Sequence, residues 1–156
     1  LAYVASKGSA VDVLTVRQLR DRLNAFGLLS TRKQRVVGAS QPVRCIGTKL
    51  AANMNSTADQ SITLMAGVWK IEGIYVTNPS VSLTTAAGGF YPTTAKGGTA
   101  IVASSQAYSG LTAATSVIGC TMADTPDITN NTIYLSLTTA QGVAATADVF
   151  VFGRPA

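Results

Sequence analysis

The sequence predicts a mainly β chain: an antiparallel, jelly-roll-like β-sandwich preceded by a short N-terminal helix and an extended arm. Three observations predict it. Beyond residue 41, eight or nine short runs rich in Val, Ile, Thr, Tyr and Phe alternate with turns containing Gly, Pro and Asn, the rhythm of a sandwich or barrel. The jelly roll is the common eight-stranded antiparallel sandwich of this size and is preferred to an up-and-down barrel. At 156 residues the chain can bury one core and carry an appendage. The helical signals gather in a single stretch near the N-terminus. The expected division is an attachment and oligomerisation segment over 1–41 and a β module over 42–156.

Residues 1–14 read as extended, with Val11, Val13 and Leu14 as apolar anchors. Thr15 then serves as N-cap with Gln18 at N3, a capping box, while Leu14 and Leu19 form a hydrophobic staple. Val16, Leu19, Leu23 and Phe26 recur at helical spacing and Gly27 is a suitable stop, so a helix is predicted over 16–26. So short a helix is marginal alone, and its stripe must dock. Packing on its own β domain and a self-association seam about a symmetry axis both fit the pattern. Residues 30–41, STRKQRVVGASQ, read as a basic linker through Arg32, Lys33 and Arg35.

The β signals follow. Residues 43–46 are a short strand candidate and 50–60 read as loop. Strands are expected over 61–65 and 68–77, joined by a tight turn at Ala66-Gly67. In the latter, Trp69, Ile71 and Tyr75 share one face and Lys70, Glu72, Ile74 and Val76 the other, with Gly73 marking a bulge or a close backbone approach. Asn78-Pro79 is a turn. A strand over 81–85 would stop at Ala-Ala-Gly-Gly, making 68–89 the central hairpin of the module. Phe90-Tyr91 begins another strand before Pro92, and strands are expected over 99–104, 117–122, 132–138 and 147–152, with 108–115 ambiguous. Residues 123–131 read as loop and Gln141-Gly142 as a turn. SLTTA occurs at 82–86 and again at 136–140, which reads as two strand ends solving the same turn problem.

Composition narrows the function. Charged residues make up 12% and hydrophobic ones 47%, against a usual quarter charged. Such a surface suits a chain covered by copies of itself or by a larger assembly, the alternative being a neutral β domain with many Thr and Ser on its exposed faces. The net charge of +5 is uneven: nine Lys and Arg face two Asp in the first fifty residues, and three face five acidic residues afterwards. A basic arm of this kind suits nucleic acid, a membrane or an acidic protein surface. No aromatics interleave with it, which disfavours single-strand binding. No apolar run reaches membrane-spanning length. LAYVASKGS lacks a signal-peptide pattern, and a start at Leu1 leads us to expect residues upstream.

The sequence has no His, so Ser-His-Asp and Cys-His catalysis are excluded and a typical zinc site is disfavoured. Cys45 and Cys120 allow a disulfide, but two buried free thiols are the favoured reading for a protein assembled inside a cell. Asp124, Asp127, Asn130 and Asn131 share a loop that could hold a hard cation, but a solvated turn is the simpler reading. Glu72 and Asp148 would make a hydrolytic pair only if the fold brought them together. The aromatics at strand positions read as core. Core packing is the default for Tyr91 and Tyr108 too, which, being near loops, could instead stack on a sugar.

The succession NMNSTADQSITL, IYVTNPSVSLTTAAGGFY, KGGTAIV, AYSGLT and TIYLSLTTAQGVAATADVFVFG, spanning 49–153, resembles small β modules of tailed-bacteriophage virion proteins. These are capsid-decorating proteins and head or tail fibres. LRDRLNAFGLL resembles the short oligomerising helix that precedes such modules in some phage fibres. The resemblance implies a structural protein of the virion, assembled in the bacterial cytoplasm, with no cofactor and no catalytic residues. Its partners would be copies of itself, commonly in a trimer, and the major capsid protein or another virion protein. Neither a specific nucleic acid nor a membrane is implied. Attachment and self-association are expected at Val16, Leu19, Leu23, Phe26, Arg32, Lys33 and Arg35. The alternatives are a tail-fibre module that binds a host glycan or protein and, more remotely, a polysaccharide depolymerase.

Overall fold

The computed structural model describes residues 3–7, 10–14 and 41–156, and the chain divides into two compact units, Leu1–Ser40 and Gln41–Ala156. In the first unit, β1 (Tyr3–Lys7) pairs antiparallel with β2 (Ala10–Leu14), Tyr3 opposite Leu14 and Lys7 opposite Ala10. The extended segment foreseen over 1–14 is thus a two-stranded ribbon. The helix expected over 16–26 and the basic linker lie outside the described residues.

The second unit contains β3 (Arg44–Asn53), β4 (Gln60–Thr63), β5 (Trp69–Thr77), β6 (Ala87–Tyr91), β7 (Val117–Gly119), β8 (Asp127–Ile128), β9 (Thr132–Thr139) and β10 (Thr146–Pro155). All pairings are antiparallel. One sheet runs β3-β10-β5-β7, with β8 also on β5, and the other runs β4-β9-β6. From β3 to β7 successive strands alternate between the sheets. The result is a β-sandwich-like arrangement around one core. Among the described residues there is no helix.

Period-2 patterning builds that core. β10 reads half-buried and buried in strict alternation, with Ala147, Val149 and Val151 inward. β9 sends Ile133, Leu135 and Leu137 inward from the opposite sheet. Each Val, Ile or Leu among them contributes about 1.5–3 kcal/mol when taken from water. Leu83, Ile101 and Leu111, outside any strand, are fully buried too, so the connections pack as part of the core.

The strands foreseen at 68–77, 132–138 and 147–152 correspond to β5, β9 and β10. The bulge at Gly73 is also present: Phe152 pairs with Gly73 but Gly153 with Ile71, leaving Glu72 extra. That inserted residue switches the pleat. Trp69 and Ile71 point inward before it, Ile74 and Val76 after it, and Tyr75 is thrown outward. The expected grouping of Tyr75 with Trp69 is therefore corrected.

Other elements differ more. β3 continues through what was read as loop, because Ala52 and Met54 are fully buried. β4 and β5 form no hairpin; the 66–67 turn carries the chain from one sheet to the other. Nor do β5 and β6 form a central hairpin, for the same reason. Residues 81–85 are not a strand, while Ala-Ala-Gly-Gly, taken for a stop, opens β6. Its glycines permit close approach: a Cβ on Gly88 would lie 2.4 Å from Leu137 Cα, and one on Gly89 2.3 Å from Val102 O. Residues 99–104 contribute only single bridges, from Val102 to Phe90 and to Met122. The strand expected over 117–122 is confined to β7.

SLTTA at 82–86 proves to be a bent segment held by a side chain. Gln141 Oε1 accepts from the N–H groups of Thr84, Thr85 and Ala86 at 3.0, 3.2 and 3.3 Å. Its Nε2 donates to Ser82 O and Thr84 Oγ1. The second copy lies in β9 through Thr139 and ends at Ala140, beside Gln141, so the two copies meet through that residue rather than repeat a structure.

Candidate functional site

The bulge at Gly73 determines what the five-stranded sheet shows on its outer side. The strand register sets two rows there. Gly119 of β7, Tyr75 of β5, Phe150 of β10 and Thr48 of β3 form one row. Gly73, Phe152 and Cys45 form the next. The Tyr75 ring lies between the two glycines, on each of which a Cβ would come within 3.3 Å of it. It meets Phe152 edge-on, with centroids 5.5 Å apart and planes at 89°, a favourable quadrupole geometry. With Val43 and Val117 they line an open groove of about 440 Å³. Val43, Tyr75 and Val117 are 54%, 44% and 61% exposed. Single exposed apolar residues are ordinary, but here Tyr75, Phe150 and Phe152 with the two valines form one contiguous apolar cluster.

Charge frames the groove. Glu72, the inserted residue of the bulge, accepts from Arg154 Nε at 2.6 Å, both side chains being about one-third exposed. On the other flank Asp148 fastens two left-handed backbone positions. Its Oδ1 accepts from Ala51 N at 2.8 Å and its Oδ2 from Asn78 Nδ2 at 2.9 Å, with φ 51° at Ala51 and 50° at Asn78. Ala51 lies at an irregularity of β3, and a second occurs opposite Val151 and Phe152. At the module's base Arg44 lies over the Trp69 ring, 4.5 Å from its centroid.

The sheet's edges are poor templates for strand addition. β3 is interrupted twice and β7 has three residues, two of the devices that protect sheet edges. The outer face, rather than the edge, is the accessible surface.

The other candidate chemistries are taken up by structure. Asp124 Oδ1 accepts from Thr125 N, Asn130 Oδ1 from Thr132 N and Asn131 Oδ1 from Gly67 N. Among the described residues no three His, Cys, Asp or Glu gather as a metal site. Asp148 stands opposite Thr77, five residues along β5 from Glu72 or roughly 17 Å of strand, so the two carboxylates do not face each other. Tyr91 and Tyr108 are 5% and 0% exposed, so the default reading of both as core side chains holds and the alternative of a sugar platform falls. Tyr108 donates to Gly88 O at 3.1 Å. Burial, with Cys120 beside it, raises its phenol well above the ordinary value. Burial likewise pushes the Cys120 thiol up to about 12, so it is no nucleophile at neutral pH. Both cysteines are free, but Cys45 is exposed rather than buried.

Val16, Leu19, Leu23, Phe26, Arg32, Lys33 and Arg35 lie outside the described residues. The groove was missed in the sequence, although Gly73 was the available signal: carrying the pleat across a bulge there would have turned Tyr75 outward. No protein-family model, curated protein or solved structure matches the chain.

Proposed function

We propose that this chain is a structural component of a tailed-bacteriophage virion. It decorates the capsid or forms a head-attached fibre or spike, assembles as a homo-oligomer, and is held to the major capsid protein or another virion protein through its N-terminal segment. The observation that carries the reading is the strand order. β3-β10-β5-β7 in one sheet and β4-β9-β6 in the other, with Val102 bridged to the free side of β6, supports a jelly roll, an architecture used by viral capsid domains. The low charge of the chain and its open aromatic face suit a protein that works in an assembly. The basic residues of the first fifty positions would supply steering and register on an acidic surface.

Pull-down on purified particles tests attachment. Full-length chain should bind, and the chain lacking 1–41 should lose most of that affinity. Binding by the shortened chain with unchanged affinity contradicts attachment through the N-terminal segment.

A further inference from the structure

We infer that the outer face of the five-stranded sheet is a docking face for a second copy of this chain, packed antiparallel across β10. The pairing is two-fold and goes beyond the attachment and self-association proposed for the N-terminal segment.

The occupant follows from charge. Along β10 the outward residues are Asp148, Phe150, Phe152 and Arg154, an acid and a base at opposite ends of an aromatic pair. On the two central strands Lys70 and Arg154 balance Glu72 and Asp148, and Asp127 of β8, opposite Lys70, leaves this face a single negative charge, too little to recruit a strongly charged partner. It does complement itself. Turning a second copy end for end places its Arg154 against Asp148, its Asp148 against Arg154, and Phe150 against Phe152, the reciprocal contacts of an isologous interface. Both charged ends keep bonding capacity. Arg154 uses Nε towards Glu72, and a guanidinium has five donors. Each Asp148 oxygen accepts one bond within the chain and has a second lone pair.

The apolar part has the right form. Val43, Tyr75 and Val117 stand exposed around Phe150 and Phe152, so pairing would remove from water a cluster the module leaves open. The blunted edges at β3 and β7 disfavour pairing by strand addition. Val43 adds a positional argument. The first unit ends at Ser40, and the chain enters the module at Gln41, two residues from this lining residue. Copies linked through their N-terminal segments would hold their modules at raised effective concentration.

Sedimentation equilibrium of the full-length chain over a concentration series tests the pairing. Val117→Asp should weaken association at least tenfold. Arg154→Glu should weaken it as well, and more at low salt than at high. Val143→Asp, exposed but outside the groove, should leave it unchanged. A wild-type chain that stays monomeric throughout the series overturns the inference, as does a Val117→Asp chain that associates like wild type. In the latter case association through the N-terminal segment would stand, and particle binding is read separately. Saturable binding of a surface glycan that Val117→Asp abolishes, with no change in mass, would assign the groove to another occupant and also overturn it.

Discussion

The two sheets of the β module finish their outer sides in opposite ways. On the three-stranded sheet the chain covers its own surface. Ser136 points outward from β9 yet is 2% exposed, and Tyr91 on β6 is 5% exposed. The Asp59 carboxylate accepts from Ala95 N at 2.5 Å, with the Ser136 hydroxyl beside it, and so ties the 94–97 turn to that side. The backbone at 102–103 presses against Gly89. On the five-stranded sheet no connection among the described residues crosses Tyr75, and Val43 and Val117 are exposed. One surface is finished by packing within the chain. The other retains apolar area that folding has not used, which is why the interaction face is assigned to it.

The sharpest way to break the comparison is to place the same added methyl on each side. Gly89→Ala would set a Cβ 2.3 Å from Val102 O and 2.9 Å from Ala103 C, backbone atoms that cannot move aside; a loss of about 3 kcal/mol is expected. Gly119→Ala meets only the edge of the Tyr75 ring at 3.3 Å, which can tilt outward, and should cost less than about 1 kcal/mol. Urea denaturation midpoints read both. Equal losses would remove the distinction between a closed side and an open one.

Gln141→Ala comes next. It leaves three backbone N–H groups and the Ser82 carbonyl without their partner and should cost about 2–3 kcal/mol, again by denaturant midpoint. A smaller effect is expected with the opposite sign. Ala95 and Lys96 both adopt positive φ, 54° and 56°, in a turn closed by Gly97 N donating to Thr94 O at 3.0 Å. Such a turn favours Asn at its first central position, and Ala95→Asn should stabilise by about 0.5 kcal/mol in thermal melts. On the open side, Val117→Ser should change stability by less than about 0.5 kcal/mol while weakening association.

Asp59 gives the comparison a pH signature. The Ala95 N–H first, then the Ser136 hydroxyl, hold its carboxyl below the ordinary value. A depressed folded-state pKa contributes stability that is complete above the unfolded value of about 4 and is lost as pH falls through the folded value. Melting temperatures of wild type and Asp59→Ala should therefore separate above pH 5 and draw together as pH falls below the unfolded value of about 4. A constant gap across that range would deny the carboxylate this part in the turn.

How much of this was legible depended on whether the determinant was local. The mainly β class and the strands β5, β9 and β10 follow from short-range alternation, and the Gly73 bulge and the left-handed backbone at Asn78 and Gly142 from single residues with known backbone habits. What failed depended on distant partners. SLTTA is a strand within β9 but not at 82–86, because the side chain of Gln141 supplies the hydrogen bonds that a neighbouring strand would have offered. Ala-Ala-Gly-Gly looked like a stop because glycine is weak in strands, but Gly88 and Gly89 are where other backbones come close. The groove was hidden by one residue of register. With Tyr75 assigned to the Trp69 face, no exposed aromatic pair remained to be noticed.

The central claim is that the chain belongs to a virion and presents this module there. An electron-microscopy reconstruction of tailed-phage particles purified from the chain's source tests it most directly. The account predicts density for the Gln41–Ala156 module on the particle surface, with the β5 and β10 face buried against another copy. Particles without such density, or a module bound with that face fully in solvent, would contradict it.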